Sequence, residues 1–487
     1  MLQIYAVGGV AGRPMAEPLT PDICVIGADA GGLAVAAAAA SFGVSTALID
    51  HAGTVDESVR NSARASAWAL MAAAERAHDV RDGARFGIKS GRTSVDFPII
   101  SEHMRDVVAA LAPNAARERF VGLGVRVFKG AARFTDASTV AVDDVTIKAD
   151  RFVIATGSAP ILPGISGLLD TTHFTTDTLS EMGERPRHLI VVGAGMAGLE
   201  LAQAFRRLGS KVTVLSAAAP LTDEDHECVA ILLDALERDG VRLRSGVEIA
   251  KVNRTFGKVH VVLATPAGSE TIQGSHLLLA AGRRPNMEDL DLEAAGIRYS
   301  DAGIIVDRTL RTSNKRVYAI GGVTDAPKSD NVTAYHATLV IRHALLRQPV
   351  RMDHDTVARV AFTDPEFAHV GLGEEEARAR KRVIRVLRWP FRQNERAMAE
   401  RMTDGHVKVI TDRDGIVLGA TIVGPQAGES IAIWALAVAE KLNIRALASL
   451  AAPHPSYAEM AKYAGLAYFS RSLTSAWVRR IIGWLRR

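Results

Sequence analysis

Gly193, Gly195 and Gly198 stand at G-x-G-x-x-G spacing. They follow an apolar run over residues 189–192 and lead into a helical pattern over 199–208 that Gly209 ends. In such a turn the first glycine makes the tight bend and the second lets backbone approach a pyrophosphate. The third lets the helix pack on the strand, so the helix's first N–H groups face the anion. The strand pattern over 211–215 closes a β-α-β unit. That frame, more than the glycine spacing, points to a dinucleotide site over a glycine-rich packing turn. A second unit of this kind lies earlier. Residues 21–26 read as a buried strand, Gly27, Asp29, Gly31 and Gly32 form the turn, and an alanine-rich helix follows. A strand over 44–49 then ends in Asp50, about 20 residues past the glycines, where a ribose hydroxyl would find a carboxylate.

The remaining elements can be placed around these two turns. Residues 55–80 and 101–120 read as helical, and 125–143 as short strands and turns. The strand pattern over 151–155 ends in Thr156, Gly157 and Ser158, and the pattern over 277–281 ends in Gly282 and Arg283. A further buried strand over 316–320 runs into Gly321, Gly322 and Val323. From about 351 the texture becomes α+β: strands are expected over 358–362, 383–388, 406–411 and 416–423, and helices over 374–380 and 428–441. The expected fold class is α/β, with two Rossmann-like nucleotide-binding domains plus a C-terminal α+β domain. The divisions read as an extension over 1–20, a discontinuous first domain over 21–160 and 287–350, and a second domain over 161–286. A third domain over 351–465 and a tail helix over 466–487 complete the chain.

A chain of 487 residues is too long for one core. Its hydrophobic share of 48% and net charge of +4 are ordinary for a globular protein. No Lys/Arg stripe argues for nucleic acid. No apolar run reaches the ~20 residues of a membrane span. No signal-peptide pattern and two isolated cysteines, Cys24 and Cys228, point to a cytoplasmic setting. No metal site is expected.

The tandem Rossmann units, the turns at 155–158 and 282–286, the Tyr318-Ala-Ile-Gly321 strand and Thr363-Asp-Pro-Glu366 together resemble the pyridine nucleotide–disulfide oxidoreductases. The likeness is to their dihydrolipoamide dehydrogenase and mercuric reductase branch and covers about residues 20–465. It implies FAD in the first unit, NAD or NADP in the second, and a homodimer through the third domain. It also implies that a His-Pro-Thr-x-x-Glu segment of one subunit completes the other's active site. Here the segment is His454-Pro-Ser-Tyr-Ala-Glu459, so His454 and Glu459 carry over.

Three departures bear on chemistry. The family's Cys-x4-Cys dithiol belongs shortly after Asp50, yet residues 54–68 hold no cysteine. Thiol–disulfide exchange needs a thiolate, and none is offered there. Cys24 reads as a small buried hydrophobe, and Cys228 has no partner. The lysine expected to pair with Glu200 is also gone, which leaves Glu200 a supporting acid. Second, Asp29 replaces the middle glycine of the FAD turn. At ~4 Å a carboxylate and a phosphate repel by on the order of 4 kcal/mol. Third, Gly322 replaces an aspartate that would bond the flavin's ribityl chain, a loss of roughly 1–3 kcal/mol. The last two together weaken FAD binding by about three to five orders of magnitude. Ser216, at the end of the second unit's second strand, gives no sign of NAD over NADP.

The expected activity is therefore FAD-dependent: hydride passes from NAD(P)H to flavin, then to a non-disulfide acceptor such as a quinone or other small oxidant. The alternative is a flavin-poor, nucleotide-binding scaffold. A dihydrolipoyl dehydrogenase or mercuric reductase of the dithiol kind is disfavoured. In the tail, Leu473, Trp477, Val478, Ile481, Trp484 and Leu485 recur at helical spacing between Arg479, Arg480, Arg486 and Arg487. Such a basic amphipathic helix suits either packing on the dimer or peripheral contact with the inner face of an anionic membrane.

Overall fold

The computed structural model describes residues 17–51, 53, 63–91, 94–265, 268–381, 383–469 and 476–486. The chain divides into two compact units: residues 1–57, 115–157 and 285–352, and residues 58–114, 158–284 and 353–487.

The first unit is built on a parallel sheet in the order Val317–Ala319, Arg151–Ile154, Ile23–Ile26, Thr46–Asp50, Arg126–Lys129. Its central strands are apolar on both faces because both faces are covered. The helix Ala30–Ser41 forms the crossover between the first two strands. Its alanines let it pack close while keeping high helix propensity. An antiparallel sheet of Ala132–Asp136, Thr139–Val142 and Val145–Lys148 adds to this unit.

The second unit holds a parallel sheet ordered Val241–Ser245, Lys211–Ser216, His188–Val192, His276–Leu279, Phe174–Thr175. The helix Met196–Arg207 follows the glycine turn. A three-stranded antiparallel sheet, Glu248–Thr255, Lys258–Thr265 and Gly268–Gly274, adds to this unit and was not among the expected elements; its middle strand buries Val259, Val261 and Leu263, while its two outer strands are mostly polar. The helices Ala63–Asp82 and Phe97–Leu111 belong to this unit too. Their Leu70, Phe97 and Met104 share a core with Leu199 and Phe205. The helix expected over 101–120 instead ends at Leu111, ahead of Pro113, and resumes as the short helix Arg117–Gly122.

The C-terminal part carries a five-stranded antiparallel sheet ordered Arg359–Ala361, Glu366–Gly371, Val417–Gly424, His406–Asp412, Ile384–Pro390. Four of these strands were expected. Glu366–Gly371 was not, because its opening Asp364-Pro365 reads as a turn. The helix Ala427–Ala439 lies against this sheet and buries Trp434 to 1% exposure. The expected α/β class with a C-terminal α+β part is thus the observed one. Trp434→Ala should empty that core and cost about 3–5 kcal/mol, seen as a clear fall in the thermal unfolding midpoint. A midpoint within about 1 °C of the native chain would contradict this packing.

Candidate functional site

In the second unit the glycine turn has the geometry its spacing demands. Gly193 has φ +113°, and a Cβ there would sit 2.2 Å from the Ala280 carbonyl oxygen. A Cβ on Gly198 would meet the Gly193 carbonyl oxygen at 2.2 Å. Gly195 differs. It caps the helix Met196–Arg207 with no side chain bonded to the helix N–H groups, and a Cβ there would meet nothing within 4 Å. The helix terminus therefore presents donors and partial positive charge to open space, which is what a pyrophosphate needs. Ser216 ends the neighbouring strand, half-buried. Gly282 turns with φ +105°. Arg283 is already committed: it donates to both carboxylate oxygens of Asp177, at 2.6 and 3.0 Å, and to Ser158 Oγ and O. The bidentate pair ties Arg283 to Asp177, and the same guanidinium holds Ser158. Sequence reading gave no notice of Asp177.

The first unit has the same closing contacts but a filled centre. Cβ atoms would meet the Ala155 carbonyl oxygen from Gly27, and the Gly27 carbonyl oxygen from Gly32, at 2.2 and 2.3 Å. At the helix N-terminus, Asp29 Oδ1 accepts a hydrogen bond from the Gly32 N–H at 2.8 Å. Three more of the expected residues gather round this carboxylate. A Cβ at Gly157 would lie 3.7 Å from Asp29 Oδ2, one at Gly321 3.3 Å from it, and one at Gly31 3.4 Å from Oδ1. Gly321 has φ +68° and stands against Thr333, whose Oγ1 a Cβ would meet at 2.7 Å. Gly322 is buried in the single turn Gly321–Val323. Burial pushes the Asp29 carboxyl up to about 7, with a further rise from Asp330, against two helix N–H bonds that pull it down. Thr333 and Asp330, on the helix Asp330–Val340, escaped the sequence reading because they carry no motif spacing.

Asp50 ends its strand at 2% exposure. Thr156 Oγ1 donates to the Asn286 carbonyl oxygen at 2.6 Å, and Asn286 Nδ2 donates to the Thr156 carbonyl oxygen at 2.9 Å. The frame of this turn fits a dinucleotide. At its centre the Gly32 N–H is already bonded by Asp29 Oδ1.

Glu200 is buried on the helix after the second turn. Its Oε1 accepts from the Phe362 N–H at 2.8 Å, and burial raises its carboxyl. The Phe362 ring lies edge-on to Trp68, 4.2 Å between centroids. His454 Nδ1 lies 3.1 Å from Glu459 Oε1 and 3.3 Å from Oε2, and Glu459 also accepts from the Ser456 N–H. Glu459 is buried and the His454 side chain is 57% exposed. The carboxylate orients the ring and leaves Nε2 facing outward, 3.5 Å from the exposed Glu395.

Cys24 is wholly buried in the strand Ile23–Ile26. Cys228 is wholly buried on the helix His226–Arg238, and burial pushes both thiols far up. Cys228 has no disulfide partner, as expected, and its Sγ lies 3.6 Å from His406 Nε2. Neither is a thiolate at neutral pH. Of the segment expected to match the dithiol, residues 54–62 lie outside the described residues.

Residues 21–339 match the pyridine nucleotide-disulphide oxidoreductase family, and residues 357–464 match that family's dimerisation domain. The mercuric reductase of Streptomyces lividans is 32% identical over 92% of this chain and 96% of its own. The dihydrolipoyl dehydrogenase of Geobacillus stearothermophilus is 31% identical over 90% and 94%. The crystal structure of LpdA from Mycobacterium tuberculosis superposes with a TM-score of 0.81 at 27% identity, covering 94% of this chain and all of that one. The chain belongs to the pyridine nucleotide–disulphide oxidoreductase family. Members of this family are FAD- and NAD(P)-dependent oxidoreductases.

Two outcomes follow. Gly195→Asp, which needs no strained φ, should place a carboxylate at the open helix terminus. Affinity for NADH and NADPH should drop by about 100-fold or more, as read by calorimetric titration. Unchanged affinity would mean that the pyrophosphate does not sit there. Asp29 ionises near 3.8 when unfolded and about 7 when folded. The folded state thus holds an extra proton between those values, and its stability falls as pH rises through that window. Asp29→Asn should remove this slope, so its melting temperature relative to the native chain should climb from about pH 5 to about pH 8. A constant difference would contradict the raised carboxyl.

Proposed function

We propose that this chain is an NAD(P)H oxidoreductase that uses FAD and hands electrons to a small non-disulfide acceptor such as a quinone. The carrying observation is chemical. The second nucleotide turn is complete and open, while no cysteine lies between Cys24 and Cys228 to relay electrons through sulfur. NAD(P)H would sit with its pyrophosphate on the turn of Gly193, Gly195 and Gly198, with Ser216 and Gly282 beside it. FAD would be held by Gly27, Gly31, Gly32 and Asp50, with Thr156, Gly157, Gly321 and Gly322 lining the site. When bound, FAD supplies a two-electron carrier between the nicotinamide and the acceptor.

The protein's own part is binding and proton supply. Glu200 fixes the Phe362 backbone, and so the start of the C-terminal part, against the helix that follows the NAD(P)H turn. Glu459 takes the His454 Nδ1 proton in a hydrogen bond, so Nε2 can hold a second proton and deliver it. Reduction of a quinone then balances: a hydride from NAD(P)H and one proton from Nε2 give the hydroquinone. The dimerisation domain supports a homodimer, and in this reading the histidine would serve the other subunit's site. Lipoamide and mercuric ion, which need a thiolate pair, should not be turned over.

The Asp29 carboxylate favours a second reading, a nucleotide-binding scaffold that holds flavin poorly. Absorbance of the purified protein separates the two. The enzyme should be yellow and should bleach on adding NADH or NADPH without air, whereas a colourless protein that still binds NAD(P)H would be the scaffold. Asp29→Gly should strengthen FAD binding by about 100-fold or more. In the native chain FAD should bind more tightly at about pH 6 than at about pH 8, where Asp29 is ionised. His454→Gln should lower kcat for quinone reduction by roughly 100-fold or more without changing NAD(P)H affinity. An undiminished kcat would remove the histidine from the reaction.

A further inference from the structure

We propose that the C-terminal helix Ala476–Leu485 is a docking surface for an anionic lipid bilayer. The inference does not depend on which acceptor the enzyme uses or on whether it holds flavin. The helix carries three large apolar side chains in the open: Ile482 at 46% exposure, Trp484 at 75% and Leu485 at 70%. Buried apolar surface is the rule for such residues when they cluster on one element. Arg480 and Arg486 are exposed beside them.

The helical pattern sorts these residues cleanly. At 3.6 residues per turn, Ile481, Ile482, Trp484 and Leu485 fall on one arc, and Arg480 and Arg486 on the opposite one. The chain as a whole nearly balances its charge, with 58 Lys and Arg against 54 Asp and Glu. The end of the chain does not. Glu459 is the last acid, and Lys462, Arg471, Arg479, Arg480, Arg486 and Arg487 follow with no carboxylate side chain between them. A one-signed, apolar-faced segment needs a partner that is negative and greasy at once. An anionic membrane surface meets both demands, with Arg480 and Arg486 at the headgroups and Trp484 at the acyl boundary.

Other occupants fit less well. The helix is ~15 Å long, half the ~30 Å hydrocarbon core, so it can lie on a bilayer but cannot cross one. Among the described residues no helix is long and apolar enough to span. A second copy of this chain would cover the apolar arc but would set like charges beside one another. Nucleic acid would meet the arginines and leave Trp484 in water.

The test is co-sedimentation of the full chain with vesicles of phosphatidylcholine alone and of phosphatidylcholine with phosphatidylglycerol. Each basic residue near an anionic surface adds roughly fivefold to binding. The native chain should pellet with the mixed vesicles at least about 10-fold more than with the neutral ones, and salt near 1 M should release much of it as the Debye length shrinks to about 3 Å. The double variant Arg480→Glu/Arg486→Glu should lose about 100-fold or more in binding. Trp484→Ser should lose binding to the mixed vesicles while keeping NADH affinity and dimer size, which reports an intact fold. Equal pelleting with both vesicle types, or none with either, overturns the proposal. So does a Trp484→Ser chain that falls apart from dimer to monomer, which would assign the apolar arc to the second copy.

Discussion

A helix N-terminus can be satisfied by its own chain or by a ligand, and each nucleotide turn of this protein has made one of those choices. At Gly195 the terminus is left bare, with nothing within 4 Å of where a side chain would begin. At Asp29 the carboxylate bonds the Gly32 N–H and fills the same position. The two turns close in nearly the same way: a Cβ on either closing glycine of each turn would meet a backbone carbonyl oxygen at 2.2 to 2.3 Å. What differs is one side chain at the point where the dipole is strongest. Asp29 serves as the N-cap of its helix, drawing on the Gly32 N–H. Gly31, Gly157 and Gly321 all face this carboxylate, each placing a notional Cβ within 3.3 to 3.7 Å of one of its oxygens.

The sulfur chemistry is closed off by burial as well as by composition. Cys24 and Cys228 are fully buried and their thiols are pushed far up. The His454–Glu459 pair keeps its geometry regardless, because its hydrogen bonds are local and do not depend on a dithiol.

In the second unit the helix Met196–Arg207 links the nucleotide turn to the C-terminal sheet. It begins at the open turn. Further along it, Glu200 holds the Phe362 N–H, Gln203 exchanges two 2.8 Å hydrogen bonds with the Asp364 backbone, and Arg207 bridges Asp239 and Asp364, each at 2.8 Å. These buried polar groups are costly unless fully paired, so together they specify one arrangement of helix and strand. Lys408 plays a similar part nearby. It lies 2.7 Å from Asp225 and 2.9 Å from Glu374 with its side chain 5% exposed. The Thr363-Asp-Pro-Glu366 segment thus owes its placement to the helix that also presents the glycine turn.

The sequence by itself determined both β-α-β units, the family and the lack of a dithiol, because glycine spacing, apolar strand runs and cysteine positions are local facts. It also located Asp29 as the odd residue of its turn. It could not decide what Asp29 does, since a side chain at that position can point to solvent or to the helix end. Only the tertiary structure shows it capping the helix, with Thr333 and Asp330 brought in from some 300 residues away. The same holds for Arg283, whose pairing with Asp177 joins segments far apart in the chain, and for the strand Glu366–Gly371, which becomes a strand through its pairing with Val417–Gly424. Spacing along the chain carries the backbone's needs; which long-range partner a buried charge finds is settled only when the chain has packed.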